Sequence, residues 1–292
     1  MTDAVTVSFE FFPPGDDAMG RQLWTAVERL APLGPRFVSV TYGADGSTRS
    51  RTHECVTRLL RETNLCVAPH LTCIGASRED VLGLAADYWR QGVRHLVALR
   101  GDLPGRNDVS ARDFPHASDL VRGLTGLAGF ELSVAAYPEG HPESGGIEAD
   151  VLNLKRKVDA GAGRAITQFF FDTDAYLRYR DRCRAAGIGI NIVPGILPIT
   201  RFPQLQKFAQ RCGATIPDWL KRRFDGLDAD PDTRRMIAAH VAIEQVHRLQ
   251  EHGVNEFHFY TLNRAELTFA ICHALGLRPG LAADPLARAQ VA

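Results

Sequence analysis

Eight short runs rich in Val, Ile and Phe, set apart by longer segments of helical periodicity, predict an α/β chain folded as a single (β/α)8 TIM-type barrel. An extra helix insertion is expected between strands 7 and 8. The competing architecture, a doubly wound open sheet, favours a glycine-rich phosphate turn after the first strand, where Pro13-Pro14-Gly15-Asp16 stands instead.

The strands are expected at Val5 to Phe12, Phe37 to Tyr42, Leu65 to Cys73, His95 to Arg100, Glu131 to Tyr137, Ala165 to Phe171, Ile188 to Pro194 and Glu256 to Thr261. Between them, segments such as Met19 to Leu33, Arg78 to Gln91, Asp150 to Ala160 and Thr233 to His252 repeat apolar residues at i, i+3, i+4 and i+7, the pattern of an outer helical ring. The longest interruption, Thr200 to Asp232, has room for helix seven and the extra helix. No linker or repeat divides the chain, so residues 1–292 read as one barrel domain.

A barrel of this kind builds its site from the C-terminal strand ends, and polar residues there are the first candidates. Strand one ends Ser8-Phe9-Glu10-Phe11-Phe12, placing one carboxylate among aromatics, where desolvation should raise its pKa and make it a proton donor. Read alone, Glu10 serves equally as a strand glutamate paired with a buried cation. Strand four ends Arg100-Gly101-Asp102, either an anion-binding arginine beside an acid or an ion pair closing the rim. Asp150, Asn153 and Lys157, with Arg156 alongside, share one helical face. That face is either solvated or holds a pyrophosphate between its cations. Phe169 and Phe171 read as core.

With 292 residues, 45% hydrophobic and 23% charged, the composition is that of an ordinary globular protein. Lys plus Arg and Asp plus Glu both total 34, leaving no positive field for nucleic acid or anionic membranes. No apolar stretch is long enough to span a bilayer and no signal peptide is evident, while six cysteines without a C-x-x-C pair or zinc spacing suit a reducing cytosol. No metal site is expected.

Taken together, Ser8-Phe9-Glu10-Phe11-Phe12-Pro13-Pro14, Pro69-His70-Leu71-Thr72-Cys73, Leu99-Arg100-Gly101-Asp102, Gln168-Phe169-Phe170-Phe171-Asp172, Pro194-Gly195-Ile196-Leu197-Pro198 and Phe259-Tyr260-Thr261-Leu262-Asn263-Arg264 closely resemble the bacterial methylenetetrahydrofolate reductases over nearly the whole chain. The resemblance implies a cytoplasmic homo-oligomer carrying non-covalent FAD. Such an enzyme takes electrons from NADH or NADPH and reduces 5,10-methylenetetrahydrofolate to 5-methyltetrahydrofolate for methionine synthesis. By motif position, FAD would contact Thr41, Tyr42, Ala44, His70, Arg100, Gly101, Asp102, Ala117, Tyr137, His141, Asp150, Asn153, Arg156 and Lys157. Folate would meet Glu10, Asp102, Gln168, Gln204 and Arg264, with Phe208 packing on either nicotinamide or pterin, so that both substrates use one flavin face in turn by a ping-pong scheme. Glu10 and Asp102 would be catalytic, donating the proton and stabilising the cation. The chain departs from the family pattern at Gly15-Asp16-Asp17, at His116, where relatives often carry Tyr, and in the loop Ser144-Gly145-Gly146-Ile147.

Overall fold

The structure, a computed structural model, describes residues 4–42, 49–73, 76–101 and 113–280. Among these, nine parallel strands lie in one sheet: β1 (Thr6–Phe11), β2 (Val38–Val40), β3 (Val67–Thr72), β4 (His95–Leu99), β5 (Glu131–Ala136), β6 (Arg164–Thr167), β7 (Asn191–Val193), β8 (Gly195–Ile196) and β9 (Glu256–Tyr260). The order β7-β6-β5-β4-β3-β2-β1-β9-β8 leaves β7 and β8 at its two ends. These two are consecutive, separated by Pro194 alone, so the sheet curls until its edges meet and the barrel is all but closed. The seventh expected strand, Ile188 to Pro194, is therefore shortened to β7, and β8 follows beyond its expected end. β7 pairs with β6 and β8 with β9, while the Pro194 carbonyl accepts from the His258 amide at 3.0 Å.

Gly195 follows because nothing larger fits. A Cβ there would lie 2.2 Å from the Thr167 carbonyl and 2.6 Å from the Tyr260 ring, inside any permissible contact. Tyr260 crosses this gap to donate its hydroxyl to that same carbonyl at 2.7 Å.

Around the strands run α1 (Asp17–Leu30), α2 (Arg49–Glu62), α3 (Arg78–Arg90), α4 (Ala117–Thr125), α5 (Ile147–Asp159), α6 (Thr173–Ala185), α7 (Phe202–Cys212), α8 (Asp218–Phe224), α9 (Pro231–Glu251) and α10 (Glu266–Ala274). Their starts are set by local chemistry. Asp16, Ser77, Asp172 and Asp230 each accept an amide of the following first turn, satisfying donors that the helix leaves open. Thr200 to Asp232 contains α7 and α8. Their apolar residues Leu205, Ala209, Leu220 and Phe224 join Phe169 and Phe171 in a cluster separate from the main core between strands and outer helices.

Strand alternation puts Phe37, Ala68, Val97 and Ile166 inside the barrel as a small apolar plug. Below it the first residues of four strands meet as a polar girdle. Buried Arg164 donates to Glu256 at 3.0 Å and also to Glu131, and Asn191 donates to Glu256 at 2.6 Å. His95 lies 2.7 Å from Ser133, and burial drives its imidazole pKa down to about 3, leaving it neutral. Among the described residues no helix is long and apolar enough to cross a membrane, and no group of His, Cys, Asp and Glu could hold a metal ion.

Candidate active site

Plug and girdle close the lower barrel, so the chemistry gathers at the upper strand ends. Glu10 points inward from β1, two residues beyond Ser8. β1 pairs with β9 in the register Ser8↔His258 and Glu10↔Tyr260. The same inward alternation on β3 supplies His70. The Glu10 carboxylate is thereby held between two imidazoles, with His70 Nε2 at 3.3 Å and His258 Nε2 at 3.6 Å from Oε2. His258 is fully buried, and its Nδ1 lies 2.8 Å from the Ser8 hydroxyl. With the ring proton on Nε2, Nδ1 accepts from the Ser8 hydroxyl.

This arrangement corrects the expectation of a raised Glu10 pKa. Burial does push the carboxyl upward, but the hydrogen-bonding reach and positive field of His258 and His70 outweigh it and carry the pKa down to about 2. Glu10 is thus a carboxylate in the resting protein. Neither Nε2 makes a hydrogen bond of full geometry, although both lie close to the carboxylate.

β3 ends at Thr72 in a cleft of about 370 Å³ between β3, β4, β5, α4 and α5. Of the residues expected at a flavin, Tyr42, Arg100, Gly101, Ala117, Tyr137, His141, Asp150, Asn153, Arg156 and Lys157 line it. The polar face of α5 therefore borders the cleft, with Arg156 exposed and Asn153 half-buried. Asp150 is buried and accepts from the His141 amide at 2.7 Å and the Ser144 hydroxyl at 2.8 Å, fastening the loop after β5 over the cleft edge. Lys157 donates to the Ala135 carbonyl at 2.8 Å, and burial lowers its pKa to about 8 despite the opposing charge of Asp150. Arg156 donates to Asn153 at 2.8 Å, and Arg100 pairs with Glu143 across the mouth. Thr41 and His70 are not part of the lining: Thr41 gives its carbonyl to the Thr52 hydroxyl, and His70 faces Glu10. Ala44 and Asp102 lie outside the described residues.

β1 leads into a second cleft, of about 280 Å³, lined by Phe12, Met19, Gln22, Thr200, Gln204, Phe208, Leu262, Asn263 and Arg264. Three residues expected at the folate, Gln204, Phe208 and Arg264, meet here from α7 and the segment after β9. Gln168 stands apart from both clefts, its side-chain oxygen accepting from the Phe169 amide at 3.0 Å. A larger cavity, about 700 Å³, opens between α6 and α8 beside Trp219 and Arg248, and it holds none of the expected residues.

The methylenetetrahydrofolate reductase family model matches residues 1–276. The chain belongs to this family. It is 55% identical to the 5,10-methylenetetrahydrofolate reductase of Pectobacterium carotovorum subsp. carotovorum, covering 95% of this chain and 92% of that one. To the enzyme of the same name from Escherichia coli (strain K12) it is 54% identical, covering 95% and 93%. Among solved structures, an uncharacterized Clostridium thermocellum protein that binds two copies of 5-methyl-5,6,7,8-tetrahydrofolic acid superposes with a TM-score of 0.64 over 94% of this chain and 96% of that one. At 13% identity that likeness concerns the fold alone.

Within this family member, sequence reasoning passed over His258 and Ser8 as its partner. The signal was present. Glu256, His258 and Tyr260 alternate with Phe257 and Phe259, so a strand reading that tracks the inward set places an imidazole beside Glu10 once β1 and β9 are neighbours.

Proposed function

We propose that the chain catalyses the FAD-dependent reduction of 5,10-methylenetetrahydrofolate to 5-methyltetrahydrofolate, with NADH or NADPH as reductant and both substrates visiting one flavin face in turn. The observation that carries this reading is the Glu10 carboxylate between two imidazoles, on strands that lead into two separate clefts. The first cleft fits FAD. Lys157, Arg156 and Arg100 bring cations to a pyrophosphate, Tyr42 and Tyr137 bring aromatic planes, and the buried Thr72 hydroxyl, which has no partner among the described residues, faces a site needing polar contacts. Bound there, FAD supplies hydride transfer between the two substrates.

The protein's own residues handle the proton. Opening the methylene bridge requires protonation of the departing nitrogen, yet Glu10 rests ionised. Seating a folate removes the remaining water from a side chain 18% exposed, which strengthens the desolvation already raising its pKa. Glu10 takes its proton from solvent as the folate enters, while His70 and His258 hold the carboxyl in place. Gln204, Phe208 and Arg264 hold the folate, and the resemblance assigns Asp102 the negative charge beside the resulting cation. The same reading makes the protein a cytoplasmic homo-oligomer supplying methyl groups for methionine synthesis, in keeping with cysteines that form no disulfide among the described residues.

The test is anaerobic mixing. The yellow protein should bleach with a reduced nicotinamide and regain colour on addition of 5,10-methylenetetrahydrofolate, and denaturation should release FAD. A protein that stays yellow with both nicotinamides, or that yields FMN, overturns the proposal.

A further inference from the structure

The chain leaves β9 through a type I′ turn in which two non-glycine residues, Leu262 (φ 51°) and Asn263 (φ 55°), both adopt the left-handed conformation. The Arg264 amide closes this turn on the Thr261 carbonyl at 2.9 Å. In a regular parallel ladder that carbonyl would accept the next amide of β1, that of Phe12. The turn takes the acceptor away, and the Asn263 side chain replaces it. The Phe12 amide donates to Asn263 Oδ1 at 3.0 Å, and Asn263 Nδ2 donates to the Phe12 carbonyl at 2.9 Å. The reverse amide orientation would set like against like, so the assignment is unambiguous. Two further bonds complete the clamp. The Thr261 hydroxyl donates to the Glu10 carbonyl at 2.6 Å and accepts from the Asn263 amide at 3.1 Å. Asn263 is 1% exposed.

We propose that Asn263 is a positioning residue for Glu10: its carboxamide extends the β1–β9 ladder past the end of β9 and so fixes the backbone from Glu10 to Phe12. The inference rests on Glu10 being the proton donor. Asn suits the position on three counts. It tolerates the left-handed region, its side chain is short enough for the reach, and it offers a donor and an acceptor to a backbone that needs both. A left-handed Leu262 persists only where surrounding bonds over-determine it, and these bonds do.

Asn263→Asp keeps the size, the left-handed tolerance and one acceptor, and replaces the donor by a carboxylate oxygen set against the Phe12 carbonyl. Recolouring of reduced flavin by 5,10-methylenetetrahydrofolate should slow by about 10- to 10²-fold, the cost of misplacing a reacting group by a fraction of an ångström to one ångström, while bleaching by the nicotinamide keeps its rate. In a Glu10→Gln background the same change should add almost nothing, because the group it positions no longer donates. Thr261→Val, which removes the hydroxyl link, should show the same selective loss and serves if the Asp variant does not fold. Normal recolouring in both variants, equal slowing of both half-reactions, or a full additional loss on top of Glu10→Gln would each overturn the proposal. Normal recolouring by Glu10→Gln alone would instead remove the proton-donor reading on which it stands.

Discussion

At the scale of single residues, Glu10 makes two separable demands. Replacing it with Gln keeps the shape and removes the proton, so recolouring by the folate should fall by at least ~10²-fold while bleaching is unaffected; stopped-flow under anaerobic conditions reads both. The same carboxyl also bears on stability. Its pKa is depressed from 4.5 to about 2, so it favours the folded state above the upper value and that contribution is lost as pH falls through the window. Acid titration of the Gln variant should therefore show a shallower loss between those limits than the parent chain. Lys157 gives the same slope at higher pH, through a penalty on the buried ammonium rather than a gain. Burial lowers it from 10.5 to about 8, so between these values the unfolded chain binds more protons and stability rises with pH. Flavin retention should weaken over the same range as the ammonium is lost, and Lys157→Met should abolish that pH dependence in a flavin-fluorescence assay. Unchanged release across the window in the parent chain would sink this role for Lys157.

How far the site could be read in advance follows from these residues. Glu10, Arg100 and the α5 stripe were legible as candidates because charge at a strand end or along one helical face asks for a partner, while the residues alone left a bland reading open for each. The sign of the Glu10 shift was not, because it depends on imidazoles contributed by strands 60 and about 250 residues away in the chain, and their distance is fixed only by register.

At the scale of elements, strand positions were legible in the Val/Ile/Phe runs, whereas several ends were misplaced. β6 stops at Thr167, short of Phe171, because the Gln168 side chain takes up the next amide and the phenylalanines turn into the cluster under α7 and α8. The division at Pro194 was equally hidden, since a proline with no N–H to donate can sit at the end of a strand or inside one. Its neighbour gives a sharp test. Gly195→Ala must move either the Thr167 carbonyl or the Tyr260 ring, at a cost near or above the upper end of the ~1–3 kcal/mol typical of overpacking, because the nearer obstacle is backbone. Thermal denaturation checks it, and an undiminished melting temperature would contradict the packing described.

The girdle at the opposite end answers to stability alone. Arg164→Met strands the buried Glu256 without its partner, an expected loss of about 3–5 kcal/mol. Urea unfolding should show a lower midpoint at unchanged slope, with both half-reactions intact in the protein that remains folded.

At the scale of the molecule, two apolar clusters imply two degrees of cooperativity. The smaller one, under α7, α8 and part of α9, is separate from the main core, so hydrogen exchange in α7 and α8 should proceed through partial openings while the β1 and β9 amides wait for global unfolding. Folate bound in the second cleft, against Gln204 and Phe208 of α7, should slow exchange in that helix. Uniform protection across both groups would show that the two clusters unfold as one.

The pairing of β1 with β9 carries a consequence for how the protein is made. Ser8 and His258 meet across about 250 residues, so during synthesis at ~5–20 residues per second the first strand emerges roughly 10 to 50 s before its last neighbour. Through that interval one edge of β1, with Glu10 on it, can pair only with water, chaperone or another nascent chain. Every mutation or codon change that lengthens the wait exposes that edge to aggregation without altering a single contact of the finished barrel.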